Sequence, residues 1–250
     1  MIRLSDVHHQ IDGKAILRGI DLEIPKGGVT AVIGPNGAGK STLLSLIARL
    51  VKLQRGVISV DGHEVGKVSD RELARLLAVM SQTNHISARL RVEELVGFGR
   101  YPWHRGRPGA QDRDHVERAI ARFDLGDLRH RFLDEISGGQ RQRAFVAMAV
   151  AQDTPYLMLD EPLNNLDIAA ARSLMRHLRA LAEQDGRTIV VVLHDINYAT
   201  AFADHLVVVK DGAVVATGSP GSVVDEPLLR NVFATDAPVI LNQGVPVVLV

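Results

Sequence analysis

The chain has 250 residues, of which 46% are hydrophobic, which is enough for the core of one large domain or two small ones. Lysine and arginine together number 29, as do aspartate and glutamate, so a zero formal net charge gives no bulk attraction to nucleic acid or anionic lipid. The chain has no cysteine, which excludes disulfide scaffolds, thiolate zinc sites and cysteine nucleophiles.

The N-terminal part of the chain is rich in strand patterns. Short apolar or alternating runs at Ile2–Val7, Ala15–Ile24 and Val29–Ile33 are separated by the turn signals Asp12-Gly13 and Pro25-Lys26-Gly27-Gly28. Two further strands are predicted at Gly56–Val60 and Leu76–Ser81.

Strand patterning disappears between about residues 84 and 150. Helical spacing marks Val92–Gly97, Asp112–Phe123 and Arg141–Ala151. The stretch Tyr101–Gly109 holds two prolines and two glycines and is predicted to be a loop. We therefore expect a mostly helical insertion.

Strands then alternate with helices. Apolar runs at Tyr156–Leu159, Thr188–Leu193 and Leu206–Val209 predict strands, and Ile168–Glu183 and Ile196–Ala203 predict helices after the first two. This alternation favours an α/β fold with a doubly wound parallel sheet. The end of the chain, Val239–Val250, predicts a hairpin that turns at residues 242–244.

Membrane and export signals are weak. The longest unbroken apolar run, Ala144–Ala151, is far short of the roughly 20 residues that span a bilayer. The N-terminal residues 1–6 have no signal-peptide core. We expect a cytoplasmic protein that reaches a membrane only through a partner.

The stretch Gly34-Pro35-Asn36-Gly37-Ala38-Gly39-Lys40-Ser41-Thr42 matches the phosphate-binding pattern G-x-x-x-x-G-K-[ST]. Its glycines allow a tight turn that brings backbone N–H groups against phosphate oxygens. Lys40 can reach the β- and γ-phosphates, and Ser41 can offer its hydroxyl to Mg²⁺. The strand before it and the helical run Ser41–Ala48 after it would place a helix N-terminus at the anion. The alternative is an ordinary glycine-rich turn.

Two carboxylates end the apolar strand that begins at Tyr156. Because ligands of open α/β sheets sit beyond the carboxyl ends of the strands, we assign Asp160 to the metal ion and Glu161 to the attacking water. The alternative is a solvated strand end.

A second anion site is predicted where Ile136-Ser137-Gly138-Gly139-Gln140 opens a helix. One nucleotide does not need two such sites from one chain, which suggests that the second site serves a nucleotide held by another copy. The alternative is a plain helix N-cap by Ser137.

These motifs together resemble the ATP-binding-cassette (ABC) transporter ATPase subunits over nearly the whole chain. Their order is the P-loop, Gln82, the ISGGQ signature, the acidic pair, Asn164-Asn165-Leu166-Asp167 and His194. The resemblance implies one ABC ATPase domain over residues 1–250, with a parallel-sheet core and an N-terminal antiparallel β subdomain in residues 1–83 and 154–250. It implies an inserted α-helical subdomain, with the signature, in residues 84–153.

The resemblance also implies a homodimer in which two copies pack head to tail around two ATP molecules, with Mg²⁺ as cofactor. The residues implied to bind nucleotide are Gly34, Pro35, Asn36, Gly37, Ala38, Gly39, Lys40, Ser41, Thr42, Ser137, Gly138, Gly139, Gln140 and Asp167. The implied catalytic residues are Glu161, His194 and Gln82, and the implied metal residues are Ser41, Gln82 and Asp160.

Each implied role is specific. Ser137 and Gly139 of one copy would cap the γ-phosphate that Lys40 of the other copy binds. Gln82 would contact Mg²⁺ and the water and relay the state of the site to a membrane partner. Asp167 would couple the two sites, and His194 would hold the γ-phosphate and the attacking water.

The adenine end departs from the family pattern. Relatives stack the base on an aromatic residue at a position that falls near Ile11 in this chain. Stacking on an aromatic is worth roughly 1–3 kcal/mol, and Ile11 would retain only part of it. We therefore hypothesise weaker nucleotide affinity or base selectivity.

Several segments resemble the branch that serves iron-siderophore, haem and vitamin B12 importers. They are Gly99–His104, Val150–Asp153 and His194–Asn197, and residues 160–167 resemble siderophore uptake ATPases in particular. We expect an importer ATPase for ferric siderophores, with haem or cobalamin as alternatives. Its partners would be integral membrane permease subunits and, indirectly, a substrate-binding protein. It would lie at the cytoplasmic face of the membrane.

A permease contact is expected in the inserted region. Residues 89–113 hold six arginines against three acids, and this region contacts the permease in relatives. The alternative is a solvated basic face. Trp103, the only tryptophan, falls in a polar stretch and favours a contact role.

Two other classes of protein share parts of the pattern. ABC ATPases of DNA repair and translation usually carry a long coiled-coil insertion or two cassettes, and this neutral chain has neither, so we expect no nucleic acid. A P-loop kinase would not need the ISGGQ signature or His194.

Overall fold

The computed structural model describes residues 1–82, 88–104 and 106–249. They form two compact units, which we call the first unit (Met1–Val68 with Thr188–Val250) and the second unit (Ser69–Arg187). The division into residues 84–153 and the remainder stays a prediction.

The strands are given in chain order. They are β1 (Ile2–Ile11), β2 (Lys14–Ile24), β3 (Val29–Ile33), β4 (Arg55–Val60), β5 (His63–Glu64), β6 (Leu77–Met80), β7 (Tyr156–Asp160), β8 (Thr188–Val192), β9 (His205–Lys210), β10 (Ala213–Gly218), β11 (Val239–Asn242) and β12 (Val245–Val248).

The helices follow the same order. They are α1 (Lys40–Ile47), α2 (Asp70–Leu76), α3 (Val92–Phe98), α4 (Tyr101–His104), α5 (Ala110–Arg122), α6 (Gly138–Ala151), α7 (Ile168–Asp185), α8 (Ile196–Phe202), α9 (Pro220–Val223) and α10 (Glu226–Leu228). A 3₁₀ turn spans Gly126–Leu128, and a π-helical turn spans Leu229–Phe233.

The first unit contains the predicted N-terminal antiparallel sheet. Its strand order is β2-β1-β4-β5, and β1 pairs antiparallel with both β2 and β4. Side chains of β1 alternate between buried and exposed at its start, as expected of a sheet with one solvated face. This part of the fold prediction is confirmed.

The first unit also contains parallel pairing around the strand that leads into the glycine-rich loop. Strand β3 lies between β8 and β9 and is parallel to both, and β10 pairs antiparallel with β9. Every residue of β3 and of β8 is buried, which explains why both strands are apolar apart from one threonine each, Thr30 and Thr188.

The second unit combines a parallel strand pair with the helical insertion. Strands β6 and β7 are parallel, with Leu77 opposite Tyr156. Helix α6 packs against α3 and α5, and most of its residues from Ala144 onward are buried. All elements between Val92 and Ala151 in the described part are helical apart from one isolated bridge, so the predicted helical insertion is confirmed there.

The predicted loop at Tyr101–Gly109 is partly wrong, because Tyr101–His104 forms helix α4. Pro102 is tolerated there because the first turn of a helix needs no N–H donor. The guanidinium of Arg71 donates to the backbone oxygens of Pro102 and Trp103, at 3.1 and 3.3 Å, and so pairs carbonyls that a short helix leaves open. The stabilising partner is some 30 positions away, outside any local pattern.

Two of the elements that were not predicted have clear local signals in the sequence. Helix α2 begins with a capping box, in which Ser69 and Glu72 exchange hydrogen bonds with each other's backbone N–H. Strand β10 follows Asp211-Gly212, whose φ angles of 48° and 79° suit a tight hairpin turn.

The segment Gly99–His104 fastens the insertion internally. Arg100 is buried, pairs with Asp112 at 3.1 Å and donates to the Ala151 oxygen at 3.0 Å. Burial opposes ionisation of Asp112, but a backbone hydrogen bond from Gly109 and the Arg100 guanidinium outweigh it, and the pKa of Asp112 lies below its usual value.

Trp103 takes part in the same set of internal contacts. Its indole N–H donates to the Gln152 oxygen at 2.7 Å, and its ring packs against the guanidinium groups of Arg75 and Arg100. These internal contacts hold Trp103 in place, and its expected contact role toward a partner stays a prediction.

Candidate nucleotide site

The glycine-rich loop lies in the first unit between the end of β3 at Ile33 and the start of α1 at Lys40. Gly34 has φ 149°, and a Cβ on it would lie 2.0 Å from the Val209 oxygen. Gly39, the N-cap of α1, has φ 104°, and its Cβ would lie 2.7 Å from Leu17. Both positions therefore require glycine, and the loop runs close to the sheet without side chains in the way.

Lys40 is held inside this loop. Its side chain is buried, and its ammonium donates to the backbone oxygens of Gly34 at 2.8 Å and Pro35 at 2.9 Å. A buried ammonium at the start of a helix suits an incoming anion, since the low local dielectric strengthens the attraction.

The N-terminus of α1 adds to that field. Its first turn carries no acidic residue, so nothing in that turn offsets the positive end of the helix dipole. The loop residues Gly34–Thr42 thus combine a helix N-terminus, flexible backbone and a buried ammonium, which is the physical requirement for a phosphate cradle.

His194 lies at the same edge of the first unit's sheet as the loop. It follows β8, which neighbours β3 in parallel, and the Leu193 N–H donates to the Val32 oxygen at 3.1 Å. Neighbouring parallel strands end at the same edge, so the loop and His194 leave the sheet side by side. The His194 side chain is exposed.

The acidic pair ends β7 in the second unit. Asp160 and Glu161 are 5% and 8% exposed, so the predicted alternative of a solvated strand end does not describe them. Glu161 has φ 52°, a left-handed conformation that costs a non-glycine residue of order 1–3 kcal/mol. Such strain is typical of functional positions.

Two amides hold the Glu161 carboxylate. Gln82 donates to Oε2 at 2.6 Å and Asn164 donates to the same oxygen at 2.7 Å. The structure thus brings together two predicted catalytic residues that are 79 positions apart. Asn164 was not predicted to act at this carboxylate; the available signal was an amide three residues after the acid in a turn.

The signature residues open helix α6. Ser137 is the N-cap, its hydroxyl accepts from the Gln140 N–H at 3.2 Å, and the Gln140 side chain accepts from the Ser137 N–H at 2.9 Å. A Cβ on Gly139 would lie 3.1 Å from Leu166. The geometry of the N-cap alternative is therefore present, and a role toward another copy's nucleotide stays a prediction.

Asp167 opens helix α7 in the same manner. Its carboxylate accepts from the Ala170 N–H at 2.7 Å, while the side chain itself lies on the surface. Its predicted role in coupling two nucleotide sites is not tested by this contact.

Ile11 lies beside the tight turn of the β1–β2 hairpin and is 48% exposed. Residues 1–30 contain no phenylalanine, tryptophan or tyrosine, so this part of the chain offers a base no large aromatic ring, and its only aromatic side chains are the imidazoles of His8 and His9. An exposed branched aliphatic side chain at this position is consistent with the hypothesis of weaker nucleotide affinity or base selectivity.

Oxygen ligands suitable for Mg²⁺ are available among the predicted residues: the Ser41 hydroxyl in the first unit, and the Gln82 amide and buried Asp160 carboxylate in the second. Within the described ranges, no group of three or more His, Asp or Glu side chains forms a metal cage.

A family model described as ABC transporter matches residues 17–164. The chain belongs to the ABC transporter family. As an ATP-binding subunit of that family it is an ATPase, and the α/β fold class predicted from sequence is confirmed.

Relatives of this ABC transporter protein match over almost its whole length. It is 43% identical to the petrobactin import ATP-binding protein YclP of Bacillus subtilis, over 99% of each chain. It is 37% identical to the hemin import ATP-binding protein HmuV of Shewanella denitrificans, over 97% of each chain.

The fold is that of a solved ABC cassette. The dimeric post-hydrolysis state of the ATP-binding cassette MJ0796 bound to ADP and Pi superposes with a TM-score of 0.79 at 29% identity, covering 88% of this chain and 98% of that one. In the part of the chain that the structure describes, no helix has the length and apolar character to cross a membrane.

Proposed function

We propose that this ABC ATPase energises the import of ferric siderophores through membrane permease subunits, at the cytoplasmic face of the membrane. The observation that carries the proposal is the 43% identity, over 99% of both chains, with a petrobactin import ATP-binding protein. Haem is the second candidate, because a hemin import ATP-binding protein also matches at 37% identity over nearly full length.

The chemistry proposed is hydrolysis of the β–γ bond of ATP. Lys40 and the backbone N–H groups of the loop hold the phosphates, and Glu161 orients a water molecule and accepts its proton. The water oxygen bonds to the γ-phosphorus, the bond from that phosphorus to the bridging oxygen breaks, and ADP and phosphate result. Most of the rate enhancement is positioning and charge stabilisation.

Supporting residues complete the proposed site. Gln82 and Asn164 fix the Glu161 carboxylate by the hydrogen bonds described above, and His194 contacts the γ-phosphate. Mg²⁺, when bound, would neutralise charge that develops on the phosphate oxygens. Ser41, Gln82 and Asp160 are the residues proposed to hold it.

A homodimer is proposed for the ATP-bound state. The solved relative with a TM-score of 0.79 is described as dimeric. The surface position of Ser137 and Gly138 at the start of α6 leaves this helix terminus accessible to the nucleotide of a second copy.

The permease is proposed to contact a groove of about 610 Å³ in the second unit. Phe98 and Tyr101 line it and are 54% and 58% exposed, which is unusual for two neighbouring large apolar side chains. Acidic and basic side chains surround this apolar floor, so an amphipathic permease segment with an apolar face and mixed charge is the proposed occupant.

Two of the six arginines of residues 89–113 are already paired with acids, whereas Arg91, Arg107 and Arg113 are exposed. Arg100 is buried against Asp112, and Arg89 pairs with Asp134 and Glu135 while packing on the Phe132 ring. Arg105 lies outside the described residues. The groove, rather than the arginine count, supports the permease contact.

Phe98→Ala is expected to reduce co-purification of the permease with this subunit about tenfold or more, because a buried aromatic anchor contributes about 2 kcal/mol or more to an interface. Leu50→Ala is the matched control, since Leu50 is 54% exposed on the first unit. Equal permease recovery with Phe98→Ala and wild type would exclude the groove as the contact.

Ile11→Tyr is expected to tighten ATP binding. A tyrosine ring at this exposed hairpin position can stack on adenine, which adds roughly 1–3 kcal/mol, or about a five- to hundredfold gain in affinity. Titration of wild type and variant with ATP and GTP measures it, with Val57→Tyr, a position 47% exposed on β4, as the control. Strong ATP preference in the wild type would argue against the hypothesis of weakened base recognition.

The substrate assignment is tested with a strain that lacks this gene, by measuring its growth when a ferric siderophore or haem is the iron source. Loss of growth on a ferric siderophore but not on haem supports the proposal. Loss on haem alone would assign the subunit to the second candidate.

A further inference from the structure

Asn197 joins the start of helix α8 to the C-terminal strand of the first unit. Its side-chain nitrogen donates to the Val248 oxygen at 2.9 Å, and its side-chain oxygen accepts from the Val248 N–H at 2.8 Å. One side-chain amide thus pairs both backbone polar groups of one strand residue, as a neighbouring strand would. Val248 is buried and Asn197 is half-buried, which limits competition from water.

Strand β12 is itself well anchored. It pairs in register with β11, from Val239–Val248 to Asn242–Val245, and the Leu249 N–H donates to the Pro238 oxygen at 3.0 Å. Helix α8 packs along this strand. The hairpin is therefore a fixed support against which α8 can be held.

The same helix start carries His194 only three positions before Asn197. Asp195 caps the helix, with its carboxylate accepting from the N–H groups of Asn197 at 2.8 Å and Tyr198 at 3.3 Å. Leu193, on the other side of His194, is tied to β3 through the Val32 oxygen. The backbone of His194 thus spans two fixed points, one on the sheet and one at the helix start that Asn197 secures.

We propose that Asn197 is a positioning residue, which uses the C-terminal hairpin to fix the start of α8 and thereby the His194 side chain for ATP hydrolysis. This inference rests on the proposed role of His194 at the γ-phosphate. It gives the C-terminal hairpin a function in catalysis, although the hairpin contributes no residue to the proposed nucleotide site.

The test is a double-mutant cycle on the purified ATPase, with wild type, Asn197→Ala, His194→Ala and the double variant. His194→Ala is expected to lower kcat by on the order of 10²–10³. Asn197→Ala is expected to lower kcat about tenfold, with KM for ATP within about a factor of two, because a small displacement of a reacting group affects turnover more than binding. In the His194→Ala background, Asn197→Ala should have no further effect.

Two further variants sharpen the cycle. Asn242→Ala removes an exposed asparagine from the same hairpin and should match wild type. Asn197→Asp keeps an acceptor for the Val248 N–H but loses the donor to its oxygen, and it should give an intermediate kcat. If Asn197→Ala does not fold, the cycle is run with Asn197→Asp.

The outcomes separate this inference from the function on which it rests. If His194→Ala lowers kcat but the loss from position 197 is absent, or multiplies with it in the double variant, Asn197 does not act through His194 and the inference is overturned. If His194→Ala leaves kcat unchanged, the proposed role of His194 fails and the inference fails with it, while ATP hydrolysis by wild type still stands.

Discussion

Glu161→Gln is expected to abolish ATP turnover, with a fall in kcat of about 10³-fold or more, and to leave ATP binding intact. The substitution keeps an oxygen that can accept from Gln82 and Asn164, so the two hydrogen bonds at 2.6 and 2.7 Å can persist. It removes the basic carboxylate that accepts the proton of the attacking water. Steady-state hydrolysis together with equilibrium ATP binding measures the two effects separately.

The same variant should accumulate as an ATP-bound dimer, because the ATP held between the two copies is no longer hydrolysed. Size-exclusion chromatography with and without ATP detects it. Glu183→Gln is the matched control: Glu183 is an exposed acid on α7 that pairs with Arg179 at 2.6 Å, and turnover should be normal. Hydrolysis by Glu161→Gln near the wild-type rate would assign the base to another group.

Lys40→Ala is expected to weaken ATP binding itself by about ten- to a hundredfold. The variant removes a buried ammonium whose charge-assisted hydrogen bonds to phosphate are worth about 1.5–3 kcal/mol. It also removes the bonds that hold the loop through the Gly34 and Pro35 oxygens. Fluorescence or calorimetric titration with ATP gives the change in affinity.

Lys26→Ala is the control for this second variant. Lys26 is an exposed lysine of the same unit that pairs with Asp61 at 2.7 Å, and a surface pair of this kind contributes little. Its ATP affinity should equal that of wild type. Unchanged affinity in Lys40→Ala would contradict the phosphate-cradle role of the loop.

The parts of the fold that could be predicted are those with local causes. Strand β3 is found at Val29–Ile33 as predicted, because a strand buried on both faces is a short, mostly apolar run, and glycines bound it on both sides here. The glycine-rich loop could be predicted because glycine marks positions that cannot carry a side chain. The structure shows this at Gly34 and Gly39, where the φ angles and the close neighbours exclude a Cβ. Asp160 and Glu161 lie at the end of a buried strand, as the sequence indicates, and their roles toward metal and water stay predictions.

Several of the parts that were not predicted depend on contacts between distant residues. Arg71 donates a hydrogen bond to a carbonyl of helix α4 from 31 positions away. The indole N–H of Trp103 donates to a carbonyl oxygen 49 positions away. The bond from Asn197 to Val248 spans 51 positions, and no periodicity in either segment indicates it. Asn164 lies in residues 160–167, which resemble siderophore uptake ATPases. Its hydrogen bond to Glu161 depends on the shape of the turn between them, which no sequence pattern indicates.

The most direct test of the account measures uptake of a radiolabelled ferric siderophore in cells that lack this gene and carry either the wild-type chain or Glu161→Gln at equal abundance. The account predicts uptake with the wild type and none above the deletion background with Glu161→Gln. Equal uptake with both chains would contradict the claim that ATP hydrolysis at Glu161 drives import.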